Sequence, residues 1–408
     1  MQENCFYNFL GLQVSKPGLR SSLLLTAPSR LGEVWRGLET GESTSRRVPV
    51  MRALTDYDVE SLGIELGAWG FKPSHARSIL QSFYAAPGGS EIEQVLGRNL
   101  GSALQARLRE SVCARLSKVD HRHESADGTV KLLIGLDRGG AVETVLMPWY
   151  HPGRAAGCVS SQIGCAMGCD FCASTRRGLE RDLEAGEIVE QFLHLRQCAA
   201  EKGRRLTSLV FMGMGEPMHN LDNVMAAIRR IAGPGLGMLG WKHITVSTVG
   251  IVPGIERLMD ADLNVHLAIS LHAPDDATRQ KIVPTGKRWK VADIMAAGRR
   301  FEAKTGRIPT IEYTLLAGVN DSEEQAVLLA DLLEGFRAHV NLIPYNWIGP
   351  GLSGAVYRKP EEARMNRFLE ILRARRVVAH FRRTRGDDVN AACGQLREMT
   401  QVSILHET

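Results

Sequence analysis

The sequence lacks any apolar run of the eighteen or so residues that a helix needs to span a bilayer, so no membrane span or membrane partner is expected. It also lacks the marks of a secretory leader. MQENCFYNFLGLQ places Glu3 where basic charge belongs, and its apolar run is short. Low-complexity tracts and short-period repeats are missing too. The expected location is therefore the cytoplasm. A disulfide scaffold is the next class to be excluded. Eight cysteines make four bridges conceivable, but four of the eight crowd between positions 158 and 172. Small disulfide proteins spread theirs across a short chain. Without a secretory signal, such crowding points to a metal or catalytic site.

What is present describes a globular chain. Of 408 residues, 44% are hydrophobic and 23% charged, enough for one large core and a smaller domain. A net charge of +5 fits a nucleic-acid partner but is common in enzymes without one. Residues 1–50 show neither helical nor strand period and contain runs such as GESTSRRVP. They read as a disordered extension, or as the product of a start codon upstream of Met51. From 51 to 125 the period is helical: LTDYDVESLGIEL offers Thr55 as a cap, and FKPSHARSILQSFY and LGSALQARLRESVCARL continue the pattern. This is a small helical domain. Over a linker of residues 126–155, KLLIGLDRGGAVETVLMPW reads as a β-hairpin turning at Arg138-Gly139-Gly140.

The remainder, 156–408, forms a third region in which strand and helix alternate. Candidate strands are SLVFMG (208–213), HITVST (243–248), VHLAIS (265–270), TIEYTLL (310–316) and HVNLIP (339–344), with one more near 158–163. Helical stretches separate them: LEAGEIVEQFLHLRQ, LDNVMAAIRRI, VADIMAAGRRF, EEQAVLLADLLEGF and PEEARMNRFLEILRARR. Repeated βα units with buried, β-branched strands predict an α/β fold on a parallel sheet. About six units predict a complete or partial barrel, with its site at the carboxyl ends of the strands.

The stretch IGCAMGCDFCAST, residues 163–175, holds Cys165, Cys169 and Cys172. A structural zinc site is the plain reading, but it usually closes four ligands from two Cys-x2-Cys pairs. No second pair exists here. Three thiolates suit a four-iron cluster instead, leaving one iron open to a substrate or cofactor.

This spacing, with Phe171 before the third cysteine, resembles the signature of the radical S-adenosylmethionine (SAM) superfamily. CVSSQIGCAMGCDFC, FMGMGEP, HITVSTVGIVPGI, AISLHAP, NLIPYN and RTRGDDVNAACGQLR, in that order, resemble the RlmN/Cfr family of radical-SAM RNA methyltransferases. The likeness runs from about residue 51 to the end, except at WYHPGRAAG, which matches nothing in the pattern. It implies a partial (β/α)6 barrel with a small N-terminal helical domain. It implies a 4Fe-4S cluster on Cys165, Cys169 and Cys172, with SAM chelated to the open iron. Gly215, Glu216, Ser247, Ser270, Leu271, His272 and Asn346 would contact SAM. Alone, each polar residue after a strand reads as a cap or a turn.

The resemblance further implies a two-cysteine route. The target carbon of adenine is not nucleophilic and cannot attack the SAM methyl group. One SAM would methylate Cys393, and a second would supply a 5′-deoxyadenosyl radical that takes hydrogen from that methyl group. The methylene radical would add to the ring. Cys158 would then attack Cys393 as a thiolate, releasing methylated RNA and leaving a disulfide for reduction. Glu143 would accept the proton from the target carbon. Outside the family context, Cys393 reads as a packing thiol and Glu143 as an exposed carboxylate on a strand. Cys5, Cys113 and Cys198 match no role; the last two sit in helical patterns and read as packing residues.

Implied partners are 23S rRNA and tRNA, an electron donor such as flavodoxin or ferredoxin, and no second copy of the chain. Arg176, Arg177, Arg382, Arg383 and Arg385 are candidate phosphate contacts, although charged runs are usually solvated faces. The target adenine must be unstacked, which favours a loop over a regular helix. The implied reaction is methylation at adenine C2. Two other readings stay open: C8 methylation, which shares every motif quoted, and a zinc-dependent RNA-binding module without catalysis.

Overall fold

The computed structural model describes residues 51–86, 92–94, 96, 100–233, 236, 238–382 and 385–396, all within one compact unit. The expected extension, Cys5 and Arg383 lie outside the described residues.

The helical period after Met51 becomes α1 (Val59–Ala68), α2 (His75–Ala85) and α3 (Ser102–Ser111). Asp58, not Thr55, caps α1, accepting the Ser61 amide at 2.7 Å. The Thr55 hydroxyl instead donates to Glu190 at 2.9 Å, and the Leu116 and Ser117 amides donate to the same carboxylate. One buried glutamate thus fastens the helical region to the helix that follows the cysteine segment. Cys113 is not helical: with Val112 it pairs in parallel with Arg52–Ala53.

Strands β1 (Lys118–Glu124), β2 (Val130–Gly135) and β3 (Ala141–Pro148) form an antiparallel meander. It runs into seven parallel strands: β4 (Arg154–Cys158), β5 (Arg205–Phe211), β6 (Ile244–Thr248), β7 (His266–Ser270), β8 (Thr310–Leu315), β9 (His339–Pro344) and β10 (Val378–Phe381). The ten strands lie side by side in chain order in one sheet. Helices α4 (Ala185–Glu201), α5 (Leu221–Ala232), α6 (Val252–Asp260), α7 (Asp276–Ile282), α8 (Val291–Thr305), α9 (Glu323–Leu332) and α10 (Glu362–Ala374) connect the parallel strands. Six βα units run from β4 to α10, a partial (β/α)6 barrel, and β10 adds a seventh strand. Val246, Leu267, Ile269, Ile311, Tyr313, Leu315, Val340 and Leu342 are fully buried, as strands covered on both faces require.

The first barrel strand differs from expectation. It is RAAGC, ending at Cys158, and not a segment at 158–163. Small residues hide its strand character from propensity, yet packing demands them. A Cβ on Gly157 would come within 2.8 Å of Leu195 and 3.3 Å or less of Leu209 and Leu206.

Candidate active site

The carboxyl ends of the parallel strands open into a cavity of about 950 Å³. Cys165, Cys169 and Cys172 line it, together with Gly215, Glu216, Ser247, Ser270, His272, Asn346 and Cys393. Cys158, Glu143 and Leu271 are not among its lining residues.

The cysteine loop hangs from a two-stranded ribbon, Gln162–Gly164 against Leu179–Asp182. Gly164 has φ +71°, and a Cβ there would sit 2.0 Å from the Gly178 carbonyl oxygen, so no other residue fits. Burial raises the Cys165 thiol to about 12 and pushes Cys169 and Cys172 up as well. Buried thiols of that kind stay protonated unless a cation binds them; a bound metal deprotonates a coordinating thiol outright. Among the described residues no three His, Cys, Asp or Glu side chains converge on a single metal ion. A multi-iron cluster does not need such convergence, since each iron takes its own thiolate.

The turn after β5 carries Gly215 (φ +97°), whose absent Cβ would lie 2.6 Å from Gln162 Cβ. That contact lets the Glu216 amide donate to Gln162 Oε1 at 2.8 Å. The Glu216 carboxylate accepts the Met218 and Val249 amides at 3.0 and 2.9 Å, and burial still raises it to about 7. Ser247 and Ser270, at the ends of β6 and β7, face each other at 3.3 Å between hydroxyls. His272 takes a left-handed backbone (φ +60°) and accepts the Thr314 amide on Nδ1 at 3.1 Å. Its ring meets Phe171 edge-on at 4.7 Å, and burial lowers it to about 3, so it is neutral at pH 7. Leu271, expected at the cavity, is fully buried beneath it; its carbonyl accepts from Arg279 at 3.0 Å.

After β10 the chain returns to the cavity, which Cys393, Gly394 and Leu396 line. The Ala173 amide donates to Gly394 O at 2.8 Å, Ser174 to Leu396 O at 2.7 Å, and Asn346 Nδ2 to Cys393 O at 3.1 Å. Cys393 is thereby held at the cysteine loop. Solvent reaches it through the cavity, yet the surrounding protein pushes its thiol up. Cys158 lies buried at the end of β4, raised to about 12 by burial first and then by Cys393, with Arg382 opposing.

Glu143 departs from the exposed carboxylate that its strand position suggested. It is 2% exposed and pairs with Lys131 at 2.9 Å. Lys131 Nζ also donates to Asn390 O, three residues before Cys393, at 3.3 Å. The arginines separate into several environments. Arg382, expected at phosphate, lines the cavity, 3.7 Å from Glu312 and 3.4 Å from the Met212 sulfur. Arg176 donates to the Ile348 and Pro350 carbonyls, and Arg385 stacks on Tyr150 at 5.4 Å. Arg177 is exposed. Sequence reasoning missed Glu312, Thr314 and Tyr345 in the cavity wall. The signal for Glu312 is a lone carboxylate inside the apolar strand TIEYTL.

Residues 159–330 match the Radical SAM superfamily. Over 345 residues the chain is 52% identical to a probable dual-specificity RNA methyltransferase RlmN 1 of Opitutus terrae, covering 85% of this chain and 96% of that one. The chain belongs to the RlmN family. A dual-specificity RNA methyltransferase RlmN 1 of Myxococcus xanthus is 42% identical over 84% of this chain and 94% of its own length. A crystallised radical SAM methyltransferase from Sphaerobacter thermophilus superposes with a TM-score of 0.78, at 41% identity, over 85% of this chain and 99% of that one. RlmN membership thus accounts for a radical-SAM barrel with three cysteines at its carboxyl-terminal mouth. No helix among the described residues is long and apolar enough to cross a membrane.

Proposed function

We propose that this protein is a radical-SAM RNA methyltransferase that adds a methyl group to C2 of an adenosine in 23S rRNA and in a tRNA anticodon loop. One observation carries the reading: Cys393, more than two hundred residues away in the chain, lines the same cavity as Cys165, Cys169 and Cys172. A non-catalytic zinc module has no use for that further thiol.

Cys165, Cys169 and Cys172 fit a 4Fe-4S cluster by their chemistry: three thiols and no fourth cysteine or competing carboxylate pair on the same loop. When bound, the cluster supplies the electron that cleaves SAM, delivered from a donor such as flavodoxin or ferredoxin. Glu216 is a buried carboxylate whose ionised form is held by two amides and would be completed by the cationic amino group of SAM. Ser247, Ser270 and Asn346 offer hydroxyls and an amide along the same wall, and neutral His272 adds no charge to repel a sulfonium. Leu271 shapes the floor of this wall rather than touching the cofactor.

Cys393 acts as the methyl carrier and Cys158 as the thiol that frees the product. Arg382, whose charge acts on both sulfurs, favours their thiolate forms. Glu143 takes up the proton from the target carbon, and Lys131 ties it to the strand of chain that carries Cys393. C2 is chosen over C8 because the relatives carry the RlmN name. Nucleoside mass spectrometry decides it. RNA treated with reconstituted protein and SAM should yield 2-methyladenosine from both substrates; 8-methyladenosine would select the alternative, and no methylated adenosine would sink both.

A further inference from the structure

α7 places a positive charge out of water beneath the cysteine loop. Arg279 is 1% exposed. Its Nε donates to the Leu271 carbonyl at 3.0 Å and its Nη2 to the Val249 carbonyl. Both acceptors are neutral. Among the described residues it makes no salt bridge. Asp276, one turn earlier on α7, accepts the Val291 amide at 2.8 Å. Glu216, the carboxylate across the Val249 turn, is occupied by the two amides already described. A guanidinium buried with only carbonyl dipoles for company is expensive, costing several kcal/mol by the general behaviour of buried ions. Folds keep such a group where an anion completes it.

The anion is indicated by what α7 packs against. The Asp170 amide donates to Ile282 O at 2.9 Å, and Gly168 lies against Pro284, 3.6 Å from a Cβ built on the glycine. Cys169, Ile282 and Val283 share one small core. Of the side chains able to carry negative charge, Cys169 acts on Arg279 first and Asp276 second.

We propose that Arg279 is the built-in counter-charge of the iron-sulfur cluster, placed behind Cys169 to favour the cluster's reduced, more negative state. This rests on the cluster assignment made above. Arg279 is not among the residues that line the cavity, so it is a positioning and tuning residue. Its field acts through a water-poor wall, where a unit charge is felt far more strongly than in solvent. Net charge around a cluster is one of the levers that set its potential.

The test is a spectroelectrochemical titration of the anaerobically reconstituted full chain, without SAM or RNA, comparing wild type, Arg279→Gln and Arg279→Lys. Removing the charge should lower the reduced-to-oxidised ratio at fixed potential at least tenfold, a shift of about 59 mV to the negative for one electron. Arg279→Lys, which keeps the charge but loses the fork, should move less than half as far. Equal potentials in all three proteins, or equal shifts in both variants, would overturn the proposal and leave Arg279 as a brace for two loops. Should Arg279→Gln take up no iron, melting of the iron-free proteins decides: a raised or unchanged melting temperature supports the counter-charge, a large drop supports the brace. A wild-type protein that binds zinc or no cluster would refute the cluster assignment before any variant is compared, and this inference with it.

Discussion

Replacing Cys165, Cys169 or Cys172 by Ala should each abolish the iron-sulfur absorbance and SAM cleavage, because a three-thiol site has no spare ligand on its loop. Iron analysis and the visible spectrum check this; a variant with full iron and activity would remove that residue from the site. Glu216 makes a pH prediction. Its carboxyl is raised from 4.5 to about 7 by burial. Between those values the folded protein holds a proton that the unfolded chain has released, so this group's contribution to stability falls as pH rises and levels off above about 7. In iron-free protein, Glu216→Gln should therefore gain on wild type by roughly 3 kcal/mol between pH 4.5 and 8, read from urea midpoints. A constant difference across that range would mean that Glu216 is ionised throughout. The Lys131–Glu143 pair is buried at both ends. Lys131→Met should cost about 3–5 kcal/mol, and adding Glu143→Leu should recover much of it. The sequence singled out Glu143 but not its pairing, because strand pairing across β2 and β3, not proximity in the chain, supplies the lysine that lets the carboxylate be buried.

Elements with long apolar periods were legible: β9 spans the expected HVNLIP segment, and α4, α5, α8, α9 and α10 fall on the periodic stretches. The missed elements share a physical reason, which is that tertiary packing and not local preference holds them. β4 is nearly all small residues, β10 has four residues beside Arg382, α7 has seven mostly polar ones, and α6 carries Pro253 in its first turn inside a motif. β4 offers the element-scale test. Gly157→Val would press into Leu195, Leu206 and Leu209 at once. A cost of about 1–3 kcal/mol is expected by overpacking, or more if β4 shifts and carries Cys158 with it. An unchanged denaturation midpoint would show that the α4 face is looser than the packing implies.

The whole molecule joins what the sequence keeps apart. The three-cysteine spacing is visible in eight consecutive positions, but the placing of Cys393 in the cavity, with Cys158 buried at the end of β4, comes from the sheet and not from proximity in the chain. Asn390, Cys393, Gly394 and Leu396 are fixed there by bonds to Lys131, to Asn346 and to the cysteine loop. A joint role for Cys158 and Cys393 is what the family resemblance implies; spacing alone does not give it. The account stands most directly on one measurement, the fate of Cys158→Ala in the presence of RNA, SAM and reductant. The variant should keep its iron and accumulate on RNA as a covalent adduct that survives a denaturing gel and vanishes with nuclease, and adding Cys393→Ala should abolish it. A Cys158→Ala protein that turns over normally with no adduct, or one that loses its cluster, would contradict the two-cysteine mechanism.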